Sequence, residues 1–182
     1  MIQEATIICL NEKSKNPIHI LKRLMAHEEC PMHSPVHHYL VGASLLTAFK
    51  NAGGDIELDV ALEKMLERSK NVPAGACGLW GACGAGVSSG MFISIVSGAG
   101  PLNKPREWGL ANMMTSKSLM AIGQIGGPRC CKRDSYLSVI SAVEFVKKHL
   151  GIEMELDKVL CTDYHRNQTC LGIKCPFHPL KH

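Results

Sequence analysis

The run Asp134-Ser-Tyr-Leu-Ser-Val-Ile-Ser-Ala-Val-Glu-Phe-Val-Lys-Lys-His-Leu-Gly151 repeats its polar and apolar residues with the period of a helical turn. Ser138, Ser141, Glu144 and Lys148 form a polar stripe opposite Leu137, Ile140, Val143 and Val146, and Gly151 supplies a stop. Working outward, the same grammar recurs. Asn16-Pro17 opens a helix to about His27, and Ser34 with Pro35 opens another that ends at Asn51 before Gly53-Gly54. Asp55 to Lys70 reads as an amphipathic surface helix stopped by Pro73. Gly84 to Ser97 and Glu107 to Ile122 complete a set of about six helices. Gly86 and Gly90 offer a groove that another helix can approach closely.

One segment reads differently: Ala5 to Leu10 is a short apolar run with the look of a strand. The expected architecture is therefore mostly α, a compact helical domain with cysteine-rich loops and an irregular C-terminal tail stapled by metal. It divides into an N-terminal segment (1–28), a cysteine-rich helical core (29–152) and a Cys/His-rich tail (153–182). The tail shows no periodicity from Leu160 onward, so something other than a core is expected to hold it.

Composition limits the functions available. With 46% apolar and 20% charged residues and a mean hydropathy of +0.04, the chain is neither disordered nor fibrous. The net charge of +4 is too small to indicate nucleic acid. Between Lys70 and Lys104 no charge occurs, but Pro73, Pro101 and many glycines interrupt the segment. It reads as a buried helix rather than a membrane span. The first ten residues lack the basic start of a secretory signal, so a cytoplasmic location is expected.

Nine cysteines in 182 residues then call for an explanation. In a reducing compartment they point to metal ligands or reactive thiols rather than disulfides, and nine histidines accompany them. Four constellations carry the chemistry. The tail reads Cys161-x8-Cys170-x4-Cys175-Pro-Phe-His178, with His165 between the first two cysteines; Cys30 is a candidate fourth ligand. Gly75-Ala-Cys77-Gly-Leu-Trp-Gly-Ala-Cys83-Gly-Ala-Gly86 sets Cys83 at a helix start, where backbone amides favour a thiolate or a cluster; Gly84 and Gly86 let those amides come close. Gly126-Gly-Pro-Arg-Cys130-Cys131-Lys-Arg-Asp134 repeats that design inside a basic loop. Its Gly127 and Arg129 are candidates for cofactor or anion binding, and Cys131 is a candidate reactive thiol. Finally, His33-Ser-Pro-Val-His37-His38 gathers imidazoles at a helix start, with His37 and His38 as candidate proton-transfer groups. Against these stand plain alternatives: inert buried thiols, a solvated basic loop capped by Asp134, and a satisfied core histidine. No Walker loop, dinucleotide fingerprint, nucleophile elbow or zincin motif is present.

Cys30-Pro-Met-His-Ser-Pro-Val-His-His-Tyr-Leu40, Cys77-Gly-Leu-Trp-Gly-Ala-Cys83, Gly126-Gly-Pro-Arg-Cys-Cys-Lys-Arg-Asp134 and Cys170-Leu-Gly-Ile-Lys-Cys-Pro-Phe-His-Pro179 together resemble a prokaryotic, largely archaeal and anaerobic, cysteine-rich domain family of unknown function. The resemblance runs from Cys30 almost to the end and implies a methyltransferase-like partner, without implying an activity. A looser similarity, from Cys83 through Cys130, is to helical proteins named as redox-active for a Cys…Gly-Cys-Ala-x-x-Gly…Cys…Cys pattern. Ala82 and Gly84 depart from that pattern.

The resulting expectation is two groups of four thiols. Cys77, Cys83, Cys130 and Cys131 meet at two helix N-termini and hold an iron–sulfur cluster of the 4Fe-4S kind, while Cys30, Cys161, Cys170 and Cys175 clamp the tail. The protein would act in electron transfer or small-molecule chemistry with a small molecule or a redox partner protein. Zinc in a non-catalytic adaptor and a metal-free dithiol enzyme are the alternatives. Cys9, in an apolar run, is read as a core thiol.

Overall fold

The computed structural model describes residues 1–181, and among them the regular structure is all helical. Eight α-helices follow in order: α1 (Ile2–Asn11), α2 (Pro17–Met25), α3 (Val36–Asn51), α4 (Leu58–Lys70), α5 (Ala76–Leu79), α6 (Gly84–Ser97), α7 (Pro105–Ile125) and α8 (Cys131–Leu150). The tail contains only three short 3₁₀ turns. No described helix is long and apolar enough to cross a membrane.

The six expected helices are present, and α1 and α5 are additional. The strand expected at Ala5 to Leu10 is instead the body of α1. Ala5 and Cys9, four residues apart, face the core while Ile7 and Leu10 stay exposed, a helical rather than an alternating pattern. Several boundaries also move. α2 ends at Met25, α3 begins at Val36 with Pro35 rather than Ser34 in the cap position, α4 begins at Leu58 rather than Asp55, α7 runs from Pro105 to Ile125 with proline in its first turn, and α8 begins at Cys131 rather than Asp134. Asn16 caps α2 as its sequence suggests, its Oδ1 accepting the N–H groups of Ile18 and His19 at 3.0 and 3.2 Å.

α3 runs through the centre, buried almost continuously from Tyr39 to Phe49, and touches α1, α2, α4, α6 and α8. α6 lies beside it, where Phe49 and Phe92 meet edge to face at 5.7 Å between centroids. α7 packs on α6 along the glycine groove. A Cβ on Gly86 would meet Leu119, one on Gly90 would meet Thr115 and the Ala111 carbonyl, and Ser89 and Ser118 hydroxyls bond at 2.8 Å between the helices.

The tail is irregular, yet it has a share in the core, contrary to the expectation that something else alone would hold it. Met154, Val159, Cys175 and Phe177 are buried in the same cluster as α2, α3 and α8, and Phe177 meets Tyr136 edge to face at 5.5 Å. The Cys161 N–H donates to the Phe177 carbonyl at 2.8 Å, closing the tail into a loop against the first turns of α8.

Candidate metal and thiol sites

The first turn of α8 organises the cysteines. Cys130 is its N-cap, and the sulfur accepts the Arg133 N–H at 3.5 Å, the role that Asp134 would have played had the helix begun later. Neighbouring residues on a helix start point about 100° apart. The alternation is accordingly sharp: Cys130, Arg133 and Tyr136 line one cavity, while Cys131 and Asp134 line another.

The first cavity is narrow and lies between α8 and the tail. Cys130, Cys161, Cys170 and Cys175 all line it, with Tyr164, Phe177 and His178 among the other walls. His165 is exposed and lies outside it. Backbone amides reach the sulfurs here: besides Arg133 on Cys130, the Gly172 N–H donates to Cys170 Sγ at 3.4 Å. Burial pushes the Cys130 thiol up to about 11, and it raises Cys161 as well, with Cys175 and Cys170 adding to the effect.

The second cavity, about 130 Å³, lies among α3, α5, α6 and α8. Cys77, Cys83 and Cys131 line it together with His33, His37, His38, Arg129 and Asp134. Cys83 is the N-cap of α6; burial first, then Asp134, pushes its pKa up to about 12, with the nearby backbone amides of Ala85 and Gly86 opposing the rise. Its Sγ lies 3.9 Å from Asp134 Oδ2. Burial likewise raises Cys131, against a backbone hydrogen bond from Ser34. His38 rests on Gly84 so closely that any Cβ there would strike the imidazole.

The two sets therefore differ from the expected four and four, being four in the tail cavity and three in the second. Cys130 belongs with the tail cysteines, and Cys30 leaves them: it is fully buried among α2, α3 and α8, with Lys132 Nζ at 3.4 Å and His37 Nε2 at 4.0 Å from its sulfur. Of the candidate glycines, Gly84 lines the second cavity. Gly86 packs on Leu119 of α7 and, like Gly127, lines neither cavity. Cys9 is buried in the core as expected, and all nine cysteines are free thiols.

One feature had no sequence signal beyond adjacency. Arg133 Nε bonds Asp134 Oδ1 at 3.0 Å with both side chains buried, and its Nη2 reaches the Gly126 and Pro128 carbonyls at 3.0 Å each. This pair forms the partition between the two cavities. Burial raises the Asp134 carboxyl, and Arg133 opposes that rise.

The cysteines do not stand at the spacing of a single tetrahedral ion. Zinc about 2.3 Å from four sulfurs sets them about 3.8 Å apart. Among the described residues, three or more ligand atoms within 4.8 Å of one another occur only at Glu4, His27 and Glu29. That surface group already holds a cation: the Met1 ammonium bonds Glu4 and Glu29 at 2.9 Å each.

Fold and site together define an all-helical, cysteine-rich protein with two thiol-lined cavities separated by the start of one helix. Residues 5–178 match the model of a family of unknown function (DUF5714), and the chain belongs to that family. No curated protein and no solved structure matches it.

Proposed function

We propose that this is an iron–sulfur redox protein whose tail cavity holds the cluster on Cys130, Cys161, Cys170 and Cys175. The observation that carries the reading is the convergence of these four cysteines on one cavity at a spacing wider than a single zinc ion requires. A cluster, whose irons are separated by bridging sulfides, would hold its four thiols farther apart than one zinc ion does. The amides of Arg133 and Gly172 would donate to the ligating sulfurs, and the N-terminus of α8 would favour their negative charge. The chemistry supplied is one-electron transfer, exchanged with a partner protein or a small molecule in the cytoplasm.

Burial argues against a metal-free dithiol enzyme. Burial holds the Cys130 thiol at about 11 and raises that of Cys131 as well, which disfavours the nucleophilic thiolate, whereas a bound metal would deprotonate them directly.

Anaerobically purified protein is expected to be coloured and to contain iron and acid-labile sulfide. Cys130→Ser loses a share of both, while Cys30→Ser keeps the wild-type amounts. Colourless protein carrying zinc without sulfide would replace this reading with that of a zinc-stapled adaptor, for instance one serving a methyltransferase.

A further inference from the structure

We propose that the edge of the tail around Cys170 is a docking surface for a small acidic electron-carrier protein, which delivers one electron through it to the tail cluster. This docking rests on the cluster reading above and adds the partner's chemistry and the place where the electron enters. The step is a plain electron transfer: the reduced carrier gives up one electron, the cluster takes it, and no bond forms or breaks.

Burial sets the cluster's way out. Of the four cysteines on the tail cavity, Cys130 and Cys175 are buried, Cys161 is half-buried and Cys170 alone is exposed. The segment after it bends into a 3₁₀ turn, Gly172–Lys174, which lies against a second one, Pro179–Lys181. Both are tied to cavity residues: the Cys175 N–H donates to the Gly172 carbonyl at 2.9 Å, and the Lys181 N–H to the His178 carbonyl at 3.0 Å. A partner resting on these turns is therefore beside two of the ligating thiols.

The turns present a compact patch outward. Ile173 is 67% exposed and Leu180 81%, and exposed Lys174 and Lys181 follow them in the chain. Between Tyr164 and Lys181 the sequence contains no Asp or Glu. Neither lysine has an ion-pair partner among the described residues. On the other side of Cys170, Arg129 and Arg166 line one groove with Thr169, and of the two only Arg166 meets an acid there, Asp163 at 2.9 Å. The exposed thiol thus stands between an apolar knob flanked by lysines and a groove flanked by arginines.

Unpaired cations around an apolar centre attract a negatively charged protein and set its orientation, which raises the encounter rate more than the lifetime of the complex. A patch with two aliphatic side chains is too small for a permanent interface, but it suits electron-transfer encounters, which bury little surface.

The test follows reduction of the cluster by stopped-flow absorbance in anaerobic, loaded protein, with a reduced two-cluster ferredoxin rich in Asp and Glu as the probe. Iron and sulfide counts, reduction by sodium dithionite and a redox titration report on the cluster itself. The second-order rate with ferredoxin should fall with added salt, and by about tenfold or more at low salt in the double variant Lys174→Glu/Lys181→Glu. Ile173→Ser/Leu180→Ser should slow it as well, with iron and sulfide retained. A rate indifferent to salt and to both variants, or one that changes only as the midpoint potential does, overturns the docking surface and leaves the cluster in place. Wild-type protein without iron and sulfide overturns the cluster reading, and the docking falls with it. If the chain instead pellets with phosphatidylglycerol vesicles while ferredoxin fails to reduce a cluster that dithionite reduces, the cations serve a membrane surface and the carrier is overturned.

Discussion

His37 shows how completely one residue's surroundings can override its ordinary chemistry. Its Nδ1 donates to the Ser34 carbonyl at 3.0 Å, and its Nε2 faces the Cys30 sulfur. Burial lowers its pKa to about 4, with Lys132, His38 and His33 adding to the effect and the Ser34 carbonyl opposing it. An unfolded chain takes up this proton near 6.5, the folded protein only near 4, so the neutral imidazole contributes full stability above pH 6.5 and loses it as the pH falls toward 4. The whole difference is about 3 kcal/mol, of which about 2 kcal/mol is gone by pH 5. His37→Asn, which keeps the donor to Ser34, should flatten the decline of the urea midpoint between pH 7 and pH 5. An equal decline in the variant would show that other groups carry it. At this scale the sequence was half legible. The imidazole cluster was visible as chemistry, but whether His37 faced substrate or core depended on Lys132, 95 residues away and fully buried with its ammonium on the Met25 carbonyl and Cys30. No local pattern announces a buried lysine.

The helices were legible wherever caps and periodicity agreed, and α6 runs over the expected span, Gly84–Ser97. Where the two disagreed, reading failed: α1 has too few polar residues on its outer face to show a helical stripe, with Ile7 and Leu10 exposed. The most instructive element is α8. Vicinal cysteines read as one reactive group, yet a helix sends adjacent side chains apart, so Cys130 and Cys131 serve opposite cavities. Which of them met the tail depended on how the tail crossed α8, and the loop gave no sign of that. The glycine groove of α6 was legible because close approach requires missing Cβ atoms. Its consequence can be measured: Gly90→Ala should lower stability by roughly 1–3 kcal/mol, because the new methyl meets the Ala111 carbonyl at 2.8 Å and backbone cannot turn aside as a side chain can. Chemical denaturation reads the effect. A neutral result would mean that α7 can slide away from α6 at no cost.

For the molecule as a whole, the question is how much of the tail's attachment is core and how much is metal. Four buried apolar residues, Met154, Val159, Cys175 and Phe177, join it to the body, along with the Glu155 N–H to the Lys15 carbonyl at 3.0 Å and an Arg166 contact with the Cys30 carbonyl at 3.4 Å. Against that anchorage stand many exposed positions and only single-turn helices between Leu160 and Lys181. Segments with few buried contacts open at low free energy. A cluster binding four thiols, one on α8 and three on the tail, would stabilise only the closed state, and its removal should release the tail far more than the helices. Limited proteolysis before and after chelation should therefore show new cleavage between about residues 160 and 175, with a resistant helical fragment ending beyond α8. Far-UV dichroism should fall only slightly, since that stretch holds little helix. If the metal-free protein resists protease at the tail as well as the loaded one, the buried residues suffice and the four-cysteine cavity is not a clamp. If the whole chain is digested at once, tail and helices unfold as a single unit, and the core contribution of Phe177 and its neighbours outweighs its small count.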